Sequence, residues 1–269
     1  MTLRMAVLAV VCSVGLLGCA NDEAKPPDAT QEIVSNLTEA GFPASEILVA
    51  DGVVYVGGDA VVSLQASREM IEPGRGGLEH YRTNNLVSST IRTIVIKAPA
   101  SAPLSIRNGL AQAVMNFKGL SLTLDPFPDP CMHVPDCPPT MPDFTIDLAI
   151  NPALPAGATA TSEFPSGGNP GSKITLGPGV AQLPANVIKH LLTHEIGHTL
   201  GLRHSDYFNR AISCGGSATN EGTASVGAIH IVGTPSGASP GGSIMNACIP
   251  SNTTGALTAT DVTALQALY

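Results

Sequence analysis

Positions 194–204 read His-Glu-Ile-Gly-His-Thr-Leu-Gly-Leu-Arg-His, and these eleven residues constrain the fold more than any other feature of the chain. His194 and His198 are four apart, so on a helix both imidazoles project from one face and can bind one Zn²⁺. Glu195 then stands beside the metal rather than on it. There it can take a proton from zinc-bound water and pass it to a leaving amine. Gly201 ends the helix, because glycine readily adopts the left-handed conformation of a helix terminus. The chain turns back, and His204 can supply a third nitrogen. Three ligands leave a fourth position open, which marks a catalytic zinc site rather than a closed structural one. Three of the chain's 7 histidines fall in this window, which a merely polar helix face does not explain.

The rest of the pattern predicts an α+β chain with a mixed, twisted sheet. Apolar alternation gives strands over 91–96, 120–125, 144–150, 158–164 and 173–176, with a helix over 104–117. Pro184 suits the first turn of the active-site helix, which runs to about residue 200. A long Gly, Ser and Thr region follows, with one short strand over 228–232. The terminal helix begins at Thr258, with Asp261 three residues on in a capping-box arrangement. His190, one turn before His194, reads as a helix-surface or supporting residue. His133 and His230 read as structural. Asp206 is placed either to orient His204 or simply to face solvent.

Charge divides the chain. The net charge of −8 over 269 residues argues against nucleic acid as a partner. Residues 20–80 carry eleven acids against three bases, whereas residues 84–269 are nearly balanced, with ten against eight. Residues 31–80 are therefore an acidic N-terminal segment, with a helix over 29–40 and a hairpin over 52–56 and 60–64. It ends in the turn-rich Glu72-Pro-Gly-Arg-Gly-Gly77. Residues 84–269 form the catalytic region. Gly (28) and Pro (22) are frequent, but 43% hydrophobic residues exclude disorder.

The N-terminus is an address. A basic start and the apolar run 5–17 are too short to span a bilayer and fit a signal peptide over 1–18. Leu16-Leu17-Gly18-Cys19 resembles a bacterial lipobox, which implies lipid on Cys19 and a polar tether over 19–30. The expected location is the cell envelope, at the outer membrane or cell surface, with release after cleavage. Export favours disulfides for the remaining Cys131, Cys137, Cys214 and Cys248. Three pairings are open. Cys131–Cys137 with Cys214–Cys248 is the most local, and a cysteine zinc site is the competing reading.

The zinc motif resembles that of the metzincin metallopeptidases. Ser243-Ile244-Met245-Asn246 fits their Met-turn, which implies that Met245 floors the histidines without touching the metal. The terminal LTATDVTALQALY is similar to the closing helix of matrixin-type members. THEIGHTLGLRHSD, SEFPSGGNPGSKITL and VYVGGDA resemble the bacterial dual-action HEIGH metallopeptidases, over roughly residues 30–269. Asn246 and Ala247 follow Met245, so no tyrosine is implied beside the metal, unlike in astacins. The resemblance implies a zinc-dependent endopeptidase that holds a peptide along an edge strand at 158–164. Two rivals stand: a zinc amidase or deacetylase acting on cell-wall material, and a catalytically silent zinc-binding surface lipoprotein.

One further element bears on latency. Val56-Gly57-Gly58-Asp59 resembles the Phe-x-Gly-Asp element of astacin pro-segments, in which the Asp occupies the open zinc position. That resemblance implies a pro-region with Asp59 as its switch. The residues alone also read as a hairpin with a Gly-Gly-Asp turn. Both readings stand at this stage.

Overall fold

Apolar alternation builds one long sheet, and the metal motif rides on a helix packed across it. The computed structural model describes residues 28–71, 80–126, 142–154, 158–222, 228–235 and 237–269. Cys19, Cys131, Cys137 and His133 lie outside the described residues.

The N-terminal part contains α1 (Ala29–Glu39), β1 (Ile47–Ala50), β2 (Val53–Val56), β3 (Ala60–Val61) and α2 (Leu64–Met70). After it come β4 (Tyr81–Arg82), β5 (Thr93–Lys97), α3 (Leu104–Val114), β6 (Thr123–Asp125), β7 (Phe144–Ile150), β8 (Ala160–Glu163) and β9 (Lys173–Leu176). The chain closes with α4 (Ala185–Thr199), the short α5 (Ala211–Cys214), β10 (Ile229–His230) and α6 (Ala259–Leu268). Eight strands form a mixed sheet in the order β1-β2-β3-β8-β9-β7-β5-β6, and β4 pairs separately with β10. Pro184 stands one residue before α4, at its cap, with extended backbone.

One expectation is corrected here. The strand expected over 158–164 is not an edge. β8 runs antiparallel to β9 on one side and parallel to β3 on the other, with Ala60 opposite Ser162 and Val61 opposite Glu163. The N-terminal segment supplies the strand that covers this edge and satisfies its backbone groups. Ser162 N donates to Asp59 O at 2.9 Å, and Phe164 N donates to Val61 O at 3.1 Å.

Among the described residues the two larger hydrophobic cores lie on either side of this pairing, and a small third cluster gathers Tyr81, Tyr207 and Ala228. Ile94, Ile96, Ile146 and Ile174 on the sheet pack with Ile106 and Leu110 of α3 and Leu192 and Ile196 of α4. Each such side chain, fully buried, is worth about 2 kcal/mol. The second core is separate: Leu37, Val54, Val56, Ala66 and Met70 of the N-terminal segment, closed by Phe164.

Candidate metal centre and cleft

α4 delivers the first two histidines, and its ending delivers the third. Gly201 has φ +97°, and a Cβ there would lie 2.5 Å from Asn85 O. Leu202 N donates to Gly197 O and Gly201 N to His198 O, the paired bonds of a Schellman helix end. Arg203 N then donates to Tyr81 O, which holds the returning chain against β4 and aims His204 back at the helix.

Each imidazole is oriented through Nδ1. His194 Nδ1 donates to Ile244 O (2.8 Å) and His198 Nδ1 to Leu202 O (2.7 Å). His204 Nδ1 lies 2.6 Å from Glu221 Oε1. These bonds turn all three Nε2 atoms toward one point, where they meet the carboxylate of Asp59. His194 and His204 Nε2 are 3.1 Å apart. Asp59 Oδ2 lies 3.1 Å from His204 Nε2 and 3.5 Å from His194 Nε2, and Oδ1 lies 3.6 Å from His198 Nε2. Four ligands at about 2.0–2.1 Å around a tetrahedral ion stand about 3.4 Å from one another. The spacing fits that arrangement. His198 Nε2 and Asp59 Oδ1 are moreover buried without a hydrogen-bond partner, as lone pairs awaiting a cation would be.

The electrostatics agree. Burial opposes charge on His204, but Asp59 and Glu221 hold its pKa well above the usual imidazole value. Burial also opposes ionisation of Asp59, yet the surrounding histidines, His204 foremost, hold its carboxyl well below the usual range. Asp59 and Glu221 thus supply the negative charge that faces His204 in this buried cluster. His198 is pushed well below its usual pKa, chiefly by burial, which keeps it neutral as a ligand must be.

Glu195 sits beside this cluster. Ser162 Oγ of β8 donates to its Oε2 at 2.6 Å. Burial first, and the Asp59 charge second, raise its pKa well above the ordinary carboxylate value. Met245 is fully buried beneath α4. A Cβ on Gly197 would fall 2.5 Å from its sulfur, so the helix backbone and this buried side chain meet directly at a glycine. Asp261 ties the floor down: it accepts from Ile244 N (2.9 Å) and Ser243 Oγ (2.5 Å) while capping α6 with Thr258. Cys214 and Cys248 are joined in a disulfide, with Cα atoms 5.1 Å apart.

The sequence matches the dual-action HEIGH metallopeptidase family over residues 54–269. The chain belongs to that family. It is a metallopeptidase, a hydrolase, of a family whose cofactor is zinc, and His194, His198 and His204 form with Asp59 a cluster that could hold a metal ion. The match begins inside the N-terminal segment and includes Asp59. No curated protein matches the chain. Two solved structures of myroilysin align with it. One has 14% identity over 68% of this chain and 93% of that one, with a TM-score of 0.37. The other has 13% identity over 84% and 96%, with a TM-score of 0.36.

For this metallopeptidase, sequence reading left several residues unplaced. The carboxylate on His204 is Glu221, not Asp206. Asp206 is buried and accepts from Ala247 N and Ser213 Oγ, so it links the floor to the loop after His204. Glu221 arrives from a loop without periodicity, and nothing in its local sequence marks it. His190 lies outside the cluster of Asp59, His194, His198 and His204. Its Nδ1 pairs with Thr253 Oγ1 at 2.6 Å, and burial pulls its pKa down to about 4. His230 lies on β10 against Tyr81.

A cleft of about 640 Å³ opens beside the metal site. Leu183, Val187, Leu191 and Ile249 form much of its wall, with His194, Glu195 and Arg210 on its floor and rim.

Proposed function

We propose that this metallopeptidase is an endopeptidase that cleaves extended peptide chains, with Glu195 as general base and acid. The observation that carries the reading is the placement of Glu195. It lines the cleft together with His194, unneeded as a ligand, and has a single short hydrogen bond from Ser162. His194, His198 and His204 would hold a zinc ion, which when bound would supply Lewis acidity toward a carbonyl and lower the pKa of a water. Glu195 accepts the proton of that water and returns it to the departing amine. Its raised pKa suits both directions of transfer. Met245 packs under α4 at Gly197, between His194 and His198 in sequence, and the apolar cleft wall offers a surface for substrate side chains.

Retention of Glu195 speaks against a silent zinc-binding lipoprotein, because a carboxylate beside the metal is not needed to hold it. Casein digestion by protein loaded with zinc, with and without chelator, tests the reading together with Glu195→Gln. That variant should keep its zinc and lose about 100- to 10,000-fold in rate. Equal loss of zinc would remove Glu195 from this role.

The N-terminal segment is proposed to keep the enzyme latent. Asp59 takes the open fourth position at the metal, and β3 lies where an extended substrate would pair with β8. We also propose that lipid on Cys19 tethers the chain to the cell envelope. Labelled palmitate should enter the wild-type protein and not Cys19→Ser, and equal labelling would remove the anchor.

A further inference from the structure

Arg210 stands on the loop after His204, at the start of α5, and its guanidinium faces the cleft. It is the one Lys or Arg among the described residues lining that cleft. Nη1 donates to Glu46 Oε2 at 3.2 Å, and Glu46 belongs to the N-terminal segment. Nε lies 3.4 Å from Glu221 Oε1 but is buried without a proper hydrogen bond. Glu221 is already engaged by His204 and lies 3.6 Å from Arg203. Gly58 precedes Asp59, whose carboxylate meets the three histidines. A side chain built on Gly58 would begin 3.7 Å from Arg210 Nη2 and 4.0 Å from Nη1. The segment therefore lays its backbone across Arg210 one residue from Asp59 and answers the charge with a carboxylate reaching in from Glu46.

We propose that Arg210 is a specificity-determining residue that selects peptides carrying an acidic side chain within two residues of the scissile bond. This inference rests on the endopeptidase reading. Glu46 occupies the place of that substrate carboxylate in the intact chain. Once the segment leaves, Arg210 loses its best partner. A cation set in a largely apolar wall discriminates sharply between a carboxylate and the amide of the same shape. Its other neighbour, Glu221, holds the guanidinium in position and is committed to His204.

Arg210 also braces Glu221, so a plain loss of activity on mutation would not separate selection from support. The ratio of rates on paired peptides does. Full-length protein loaded with zinc, before and after limited proteolysis of its N-terminal segment, is given quenched fluorescent peptides. These differ only in Glu or Gln, at each of two positions on either side of the cut. The wild type should cleave one Glu peptide about tenfold faster in kcat/KM than its Gln partner. Arg210→Gln should bring that ratio to about one, and Arg210→Lys should restore part of it. A bracing role lowers both rates together and leaves the ratio unchanged. Equal cleavage of every Glu and Gln pair by the wild type, or a ratio that persists in Arg210→Gln, overturns the inference and leaves the peptidase intact. Absence of cleavage of any peptide by any form overturns the endopeptidase reading, and this inference with it.

Discussion

The N-terminal segment and the catalytic region are held together by different forces. Inside each, apolar side chains dominate: one core runs from Val87 to Leu265, and the other is confined to Ile33–Met70 with Phe164 as its lid. Between them the contacts are mostly polar. The β3–β8 ladder, the Asp59–histidine cluster and the Glu46–Arg210 pair make one side of the joint. On the other side, Asn85 Nδ2 donates to Ala66 O and to Glu69 Oε2, and Gly167 N donates to Glu69 Oε1. Opening this joint replaces its hydrogen bonds with bonds to solvent and, of the larger region, lifts the Phe164 lid from the smaller core. The proposed latency asks that this joint hold the segment over the site and still release it.

The strongest way to break this comparison is to remove the segment. A chain beginning after Gly77 should keep the fold of the larger core and cleave an added peptide about 100-fold faster than the full-length protein. The ladder bonds contribute about 1 kcal/mol each, and every 1.4 kcal/mol is a factor of ten. Equal rates for the two forms would mean that the segment does not guard the site. Asp59→Ala in the full-length chain should give a smaller rise, about tenfold. It removes the carboxylate from the metal but leaves β3 on β8 and Glu46 on Arg210. If Asp59→Ala matched the truncation, the strand would contribute nothing to latency, and if it changed nothing, Asp59 would be only a turn residue.

The two regions were also unequally legible in the sequence. The zinc motif is local: a helical period places His194 and His198, and Gly201 marks the reversal that returns His204. Asp261 announced the cap of α6 for the same reason. The strand at β8 was legible as a strand but not as an interior one, because its partner Ala60 lies about a hundred residues earlier and no local pattern encodes that pairing. α2 was missed because the period-two reading of the hairpin was carried on to Leu64. Ser63, whose side chain accepts from Ala66 N, was the cap signal that could have ended it. Glu221 had no signal at all. It lies in a polar loop, and only the closed fold brings it to His204.

Glu221 is also where the two regions meet most closely, and it offers the finest test of the comparison. A Cβ on Gly57, two residues before Asp59, would come within 3.0 Å of Glu221 Oε2, while Oε1 holds His204 Nδ1 at 2.6 Å. One carboxylate therefore orients His204, a proposed zinc ligand, and abuts the segment that carries Asp59. A carboxylate behind a ligating imidazole fixes the ring and raises its basicity. Glu221→Gln keeps an oxygen that can accept from Nδ1 and a side chain of the same size beside Gly57, but it removes the charge. Zinc affinity should fall about tenfold, at the weak end of the range for such supporting groups. Competition with a fluorescent chelator measures that affinity in the full-length and truncated chains. A polar joint that merely covers the site predicts the same fall in both. A larger fall in the full-length chain would show that the segment and the metal share Glu221 energetically, so that the joint and the site are one network rather than two.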